Sequence, residues 1–198
     1  MKDLYQAVAD RRTYYAIQKE APVSDARIKE VMEHAIRHTP TAFNSQSGRV
    51  VLLLGKKHDR LWEIAKEALQ KVVPAEQFEA TAGKINSFQN GYGTVLYFED
   101  QTVVEGLQQQ FPLYKDNFPI WSQQASGMLQ YVVWTSLEAE GFGASLQHYG
   151  ELIEPLVKQE WGLPAHWKLI AQMPFGAPAA NPDEKQYQPL EERFVIKE

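Results

Sequence analysis

Two polar segments and one lysine have the residue types needed to hold a ligand that is both anionic and flat. The segment Arg11–Thr13 is basic, and Lys185 lies in a loop rich in proline and alanine near the C-terminus. Guanidinium groups form paired hydrogen bonds to a phosphate, and a lysine adds a point charge. Asn44 and Gln46 each carry donors and an acceptor in one side chain, which suits the polar edge of a heteroatom-rich ring. These groups predict ligand binding, because none of them is an evident catalytic acid, base or nucleophile.

Catalysis by protein side chains alone is poorly supported. The sequence contains no Gly-x-Ser-x-Gly elbow of a serine hydrolase, and it contains no cysteine. The lack of cysteine excludes thiolate nucleophiles, disulfides and zinc sites built on sulfur. His34 and His38 have helical spacing but no third ligand near them in the sequence, so we expect no metal site. A ligand-holding site without a protein catalyst is typical of an enzyme whose cofactor carries the reactive atom.

Length and composition indicate one globular domain spanning residues 1–198. The chain is 44% apolar and 23% charged, which is ordinary for a folded protein. Its 20 basic and 25 acidic residues give a net charge of -5 without a basic stripe, so nucleic acid is not an expected partner. The N-terminus is charged where a secretory signal is apolar, and no apolar run approaches the roughly 20 residues that cross a bilayer. We therefore expect a cytoplasmic protein that does not enter the membrane.

Hydrophobic periodicity predicts the elements that position these groups. Ser24 is a good N-cap for a helix that ends near His38. The apolar run Val50–Leu54 predicts a central strand covered on both faces, so the loop containing Asn44 and Gln46 joins a helix to this strand. Further helices are predicted near residues 4–12, 61–72, 78–88 and 120–140, and further strands at 94–98, 167–173 and 194–196. The helix at 120–140 has almost no charge, which favours packing in the core or against a second subunit. The mixture predicts an α+β or mixed α/β fold.

Four segments of the chain have a recognisable order and spacing. They are ADRRTYYAIQ, PTAFNSQSGRVVLL, EAEGFGASLQ and WGLPAHWKLIAQMPFGAPAANPDEKQYQPLEE. Together they resemble the nitroreductase family, over nearly the whole chain. More closely, they are similar to a short subgroup related to the fatty-acid-repression-mutant proteins. Its members begin with Arg-Arg-Thr and carry a Thr-Pro-x-Ala-Phe-Asn-Ser-Gln-Ser loop, which is the most specific of the four signals.

The resemblance implies an α+β fold with a central, mainly antiparallel sheet flanked by helices. It also implies a homodimer built on the long helices, with one FMN at each side of the subunit interface. In that arrangement Arg11 and Lys185 would meet the FMN phosphate. Arg12 and Thr13 would hold the ribityl chain or the ring edge.

The polar loop before the first long strand is implied to lie along the flavin ring. Asn44 and Gln46 would bond the polar edge of the ring, with Pro40–Phe43 packed nearby from the same or the partner chain. The implied activity is two-electron reduction by a ping-pong cycle, in which NADH or NADPH reduces the flavin and a nitroaromatic or quinone then reoxidises it. Phe43 is a candidate for substrate contact, and His148 for proton donation to a reduced nitro group.

The chain departs from the family pattern at four places. Tyr15 stands where many members have a basic residue that supports negative charge on the reduced flavin. Either Arg49 or a backbone donor takes over, or the reduced flavin is less stabilised. Ser47-Gly48 replaces Pro-Trp, Leu146–Tyr149 replaces Pro-x-Glu-Gly, and Tyr187 replaces a second phosphate-binding arginine. These departures keep open a flavin-binding regulatory or sensing protein with low turnover, linked to lipid or stress signalling. A cofactor-free interaction domain is the third alternative.

Overall fold

A computed structural model describes residues 2–198, which form a five-stranded sheet with helices on both faces. The helices are α1 Leu4–Asp10, α2 Asp25–His38, α3 Lys56–Gln70, α4 Ala75–Gln89, α5 Gln101–Gln110, α6 Phe118–Ala139 and α7 Gly150–Trp161. The strands are β1 Ile17–Gln18, β2 Gly48–Leu54, β3 Gly93–Asp100, β4 Gly143–Ala144 and β5 Trp167–Pro178. The strand order is β1-β5-β3-β2, with β4 also paired to β5, and each of these pairs is antiparallel. The predicted α+β fold with an antiparallel sheet flanked by helices is thereby confirmed.

The sheet separates two hydrophobic cores, because successive side chains of a strand point to opposite faces. Val95 and Tyr97 of β3 face α2 and α6, whereas Leu96 and Phe98 face α3, α4 and α7. All eight residues of β3 are buried, as expected for a strand covered on both faces. The candidate site residues lie near the two edges of this sheet.

The helix predicted from the Ser24 cap is confirmed, because the Ser24 hydroxyl accepts from the Arg27 N–H and α2 ends at His38. The predicted central position of β2 is wrong. Within residues 2–198, β2 pairs with β3 alone and lies at the sheet edge, and only Leu53 is fully buried among its residues. Helices pack on its faces, which gives an edge strand the same apolar run as a central one.

The strand predicted at 194–196 is also wrong. Phe194, Val195 and Ile196 are each about two-thirds exposed and pair with no strand in the described part of the chain. Helices α5 and α7 and the two-residue strands β1 and β4 were not predicted. Of the helices in residues 2–198, none is both long and apolar enough to span a membrane.

Candidate functional site

The antiparallel register of β1 and β5 brings the N-terminal basic segment to the loop that carries Lys185. Ile17 pairs with Pro178, and the Ala179 N–H donates to the Ala16 carbonyl, so residues before β1 meet residues after β5. The two segments enclose a cavity of about 470 Å³, called here the basic cavity. It is lined by five of the predicted site residues: Arg11, Arg12, Thr13, Tyr15 and Lys185. Three cations thus share one cavity.

Arg11 is positioned in this cavity by an aromatic face of α6. It follows the last residue of α1, and its guanidinium carbon lies 4.5 Å from the ring centre of Trp134 and 5.8 Å from that of Tyr131. Its Nε is buried and has no hydrogen-bond partner within residues 2–198. The rest of the guanidinium lines the cavity, where its positive charge suits an anionic ligand.

The other lining residues are held more loosely. The Arg12 guanidinium donates to the Asp183 carbonyl, which ties the two segments together. Lys185 is exposed, and its Nζ lies 5.1 Å from the ring centre of Tyr187. Tyr15 is 55% exposed, and its phenol adds to the effect of burial in raising the pKa of Tyr149. The Tyr14 N–H donates to the Ala144 carbonyl, which brings the neighbouring Tyr15 toward the segment that contains His148.

Asn44 and Gln46 line a second cavity of about 430 Å³, called here the amide cavity. Both residues are exposed, and neither side chain has a hydrogen-bond partner in the described chain. The cavity walls include Arg37, Arg49 and the buried carboxyl group of Glu99. Burial raises the pKa of Glu99, although the hydrogen bond from Ser47 and the charge of Arg49 oppose the shift. The unpartnered amides are free to bind a ligand.

The remaining two candidates lie outside both cavities. His148 is exposed and lines a third cavity of about 680 Å³ with Gln130, Tyr149 and Lys168. Phe43 is 50% exposed, and its ring lies 5.0 to 5.9 Å from four other rings: Phe111, Tyr114, Phe118 and Trp121. The single chain therefore divides the predicted site residues among separate places. Nowhere in residues 2–198 do three potential metal ligands gather, although the rings of His34 and His38 are 4.5 Å apart.

Sequence reasoning missed the residues that hold these groups in place, namely Trp134, Ser47, Glu99 and Asp100. Two acids directly after an apolar strand were an available signal, because charged residues are rarely buried unless they are paired. The paired residues are Ser47 with Glu99 and Arg49 with Asp100, and they are more than 50 positions apart in the chain. They meet because Gly48 pairs with Glu99 in the register of β2 and β3.

Comparisons with known proteins agree with this architecture. A model of the nitroreductase family matches residues 8–177. Two proteins of Saccharomyces cerevisiae are similar: HBN1 is 38% identical over 89% of each chain, and the nitroreductase FRM2 is 33% identical over 91% of each chain. The structure of the nitroreductase CinD from Lactococcus lactis in complex with 4-nitrophenol superposes with a TM-score of 0.90 at 41% identity, covering 99% of this chain and 100% of that one. The resemblance to the family and to the fatty-acid-repression-mutant subgroup is confirmed, and the chain belongs to the nitroreductase family.

Proposed function

We propose that this nitroreductase-family oxidoreductase binds FMN, with the FMN phosphate in the basic cavity. The observation that carries the proposal is that three cations, Arg11, Arg12 and Lys185, line one cavity. A phosphate ester brings two negative charges and several acceptor oxygens, which matches guanidinium donors and an ammonium group. Thr13 and Tyr15 add hydroxyl groups at the same cavity, where the ribityl chain or ring edge would lie.

We further propose that two copies of the chain complete each flavin site. Asn44 and Gln46 suit the polar edge of the flavin ring, yet they line a different cavity from the phosphate-binding cations. The C-terminal segment 187–196 supports an obligate partner, since five of its large side chains are 65–76% exposed. Monomeric proteins rarely expose large apolar patches to water. A homodimer would cover this surface and bring the amides of one copy toward the basic cavity of the other.

We propose that the reaction is a two-electron transfer from NADH or NADPH to a nitroaromatic or quinone acceptor, in a ping-pong cycle. FMN, when bound, supplies the hydride chemistry. The chain binds and orients the cofactor through Arg11, Arg12 and Lys185, and the amides of Asn44 and Gln46 hold the ring edge. The CinD complex with 4-nitrophenol supports the acceptor class. Phe43 offers a half-exposed aromatic ring that suits a flat acceptor, and His148 offers an exposed imidazole for proton donation.

The test is a titration of the apoprotein with FMN, monitored by flavin fluorescence. It is carried out on wild type, Arg11→Ala and Lys185→Ala. Each variant loses a charge-assisted hydrogen bond worth about 1.5–3 kcal/mol, so FMN should bind about 10- to 150-fold more weakly. Arg60→Ala is the matched control, because Arg60 is a partly exposed cation on α3 that pairs with Glu63, Glu67 and Glu160 instead. Unchanged affinity in both site variants would refute the phosphate assignment.

The rate of NADH or NADPH oxidation distinguishes an oxidoreductase function from a regulatory or sensing function of this chain. Rapid oxidation of NADH or NADPH by the FMN-loaded protein with a nitroaromatic acceptor supports the enzyme. FMN binding without turnover on either nucleotide supports the regulatory alternative. A protein that binds no FMN would favour a cofactor-free interaction domain.

A further inference from the structure

The loop that carries Asn44 and Gln46 has an unusual backbone. Phe43, Asn44 and Gln46 have φ values of 56°, 50° and 48°, so three of four consecutive residues are left-handed without being glycine. Residues other than glycine rarely adopt this backbone region, because the β-carbon crowds the backbone. Such residues persist only where the surrounding structure holds them, and they cluster at functional sites.

Both backbone polar groups of Gln46 are bonded to side chains. Its N–H donates to the Thr41 hydroxyl at 3.1 Å, and its carbonyl accepts from Arg49 Nη1 at 2.7 Å. The same guanidinium nitrogen reaches the Gly48 carbonyl at 3.0 Å. Arg49 therefore forms hydrogen bonds both to Gln46, which has the strained backbone, and to Gly48, at which β2 begins.

Arg49 is in turn fixed to the sheet. Its Nη2 lies 2.9 Å from a carboxylate oxygen of Asp100, whose side chain is only 8% exposed. The other oxygen of Asp100 accepts from the N–H and hydroxyl groups of Thr102, so the carboxylate also caps α5. Burial raises the pKa of Asp100, but the bonds from Thr102 and the charge of Arg49 outweigh it, so the pKa is lowered overall. A stable carboxylate at the end of β3 thus holds the guanidinium in one orientation.

The other contacts of this loop act on either side of Gln46. Before Gln46 in the chain, the Phe43 ring packs among four aromatic rings. After Gln46, the Ser47 hydroxyl donates to Glu99 at 2.6 Å. The Asp100 N–H also donates to the Ser47 carbonyl at 3.0 Å. Among residues 2–198, Arg49 is the side chain that bonds the Gln46 carbonyl.

We propose that Arg49 is a positioning residue for the flavin site: by holding the Gln46 carbonyl, it keeps the loop in the form that presents the side-chain amides of Asn44 and Gln46 to the polar edge of the flavin ring. Arg49 acts through these amides, since its own charge is already paired with Asp100. A loop held in its binding conformation before the ligand arrives loses less conformational freedom on binding. The inference rests on the proposed binding of FMN.

The test compares Arg49→Lys with Arg27→Lys. Lysine keeps the positive charge, but a single ammonium group lacks the planar fork that serves two carbonyls and a carboxylate together. Arg27 is the matched control, because it also bridges two groups, Glu140 at 2.6 Å and Glu30 at 2.9 Å, on α2 away from the loop. We expect Arg49→Lys to bind FMN about tenfold more weakly, by loss of a charged hydrogen bond, and to shift the two-electron midpoint potential of bound flavin. We expect Arg27→Lys to stay within about twofold of wild type, as surface ion pairs contribute little.

A double-mutant comparison distinguishes positioning from a direct effect of charge. In a background carrying Asn44→Ala and Gln46→Ala, Arg49→Lys should weaken FMN binding little further, because the amides it positions are gone. An additive effect in that background would overturn the proposal, and so would wild-type affinity and potential in Arg49→Lys alone. If the Asn44→Ala and Gln46→Ala background itself binds FMN like wild type, the proposed flavin site fails instead. Should Arg49→Lys not fold, Asp100→Asn replaces it, since asparagine can still cap α5 while the charge that holds Arg49 is lost.

Discussion

Replacing Trp134 by leucine should weaken FMN binding without removing any group that would touch the phosphate. The Trp134 ring centre lies 4.5 Å from the Arg11 guanidinium, well within the range of a cation–π contact. Without this ring Arg11 gains rotamers in the free protein, and ordering them again on binding costs about 0.5–1.5 kcal/mol. That cost corresponds to FMN affinity about 2- to 12-fold lower. Trp134→Phe keeps an aromatic face and should lie between leucine and wild type.

The assay is FMN titration in four proteins: wild type, Trp134→Leu, Arg11→Ala and the double variant. If Trp134 acts by orienting Arg11, the leucine substitution should have no further effect once Arg11 is alanine. Tyr131→Leu provides a graded comparison, because its ring centre is farther from the guanidinium, at 5.8 Å, and a smaller loss is expected. Equal losses for Trp134→Leu in the presence and absence of Arg11 would refute the reasoning and assign Trp134 a direct contact or a general folding role.

Three further predictions concern stability, each measured by urea unfolding. His58 is buried, accepting from the Thr94 hydroxyl and donating to the Gln89 carbonyl, and burial lowers its pKa. The unfolded chain then binds more protons, so the free energy of unfolding should fall as the pH drops below the unfolded value of about 6.5, and His58→Gln should remove this slope. Burial raises the pKa of Glu99, so the protonated form favours the folded state. Its contribution to the free energy of unfolding is full below the unfolded pKa and is lost as the pH rises through the folded pKa. Glu99→Gln should therefore stabilise the protein at pH 8 more than at pH 4, and an equal change at both values would contradict this. A β-carbon on Gly176 would lie 2.3 Å from the Gln18 carbonyl oxygen, so Gly176→Ala should cost about 1–3 kcal/mol. The control Gly83→Ala, in an open part of α4, should gain about 0.5–1 kcal/mol.

Local signals in the sequence were sufficient for elements whose ends are set by local chemistry. Helix α2 begins after Ser24 because a hydroxyl satisfies a free N–H, and this contact spans three residues. The edge position of β2 could not be predicted in the same way, because strand order depends on pairings between residues that are 39 to 51 positions apart, from Leu54 with Gly93 to Gly48 with Glu99. The strand predicted at 194–196 failed for the related reason that β-rich composition forms a strand only where a neighbouring strand offers its backbone.

The same distinction applies to the candidate site. The types of Arg11, Asn44 and Gln46 suggested binding groups, and the family resemblance assigned them to one cofactor. Their supports could not be predicted, because Trp134 and Asp100 reach them only through the packing of α6 and the register of β2 with β3. The residues proposed to bind FMN were recognisable from their chemistry, whereas the residues that position them required the fold.

The division of the site between two cavities has a thermodynamic consequence. Under the proposed function, one FMN contacts the basic cavity of one protomer and the amides of Asn44 and Gln46 in the other. A ligand that bonds both copies binds the dimer more tightly than the monomer, so it must strengthen the dimer by the same factor. FMN binding and subunit association are then coupled equilibria, so a substitution in either cavity changes both.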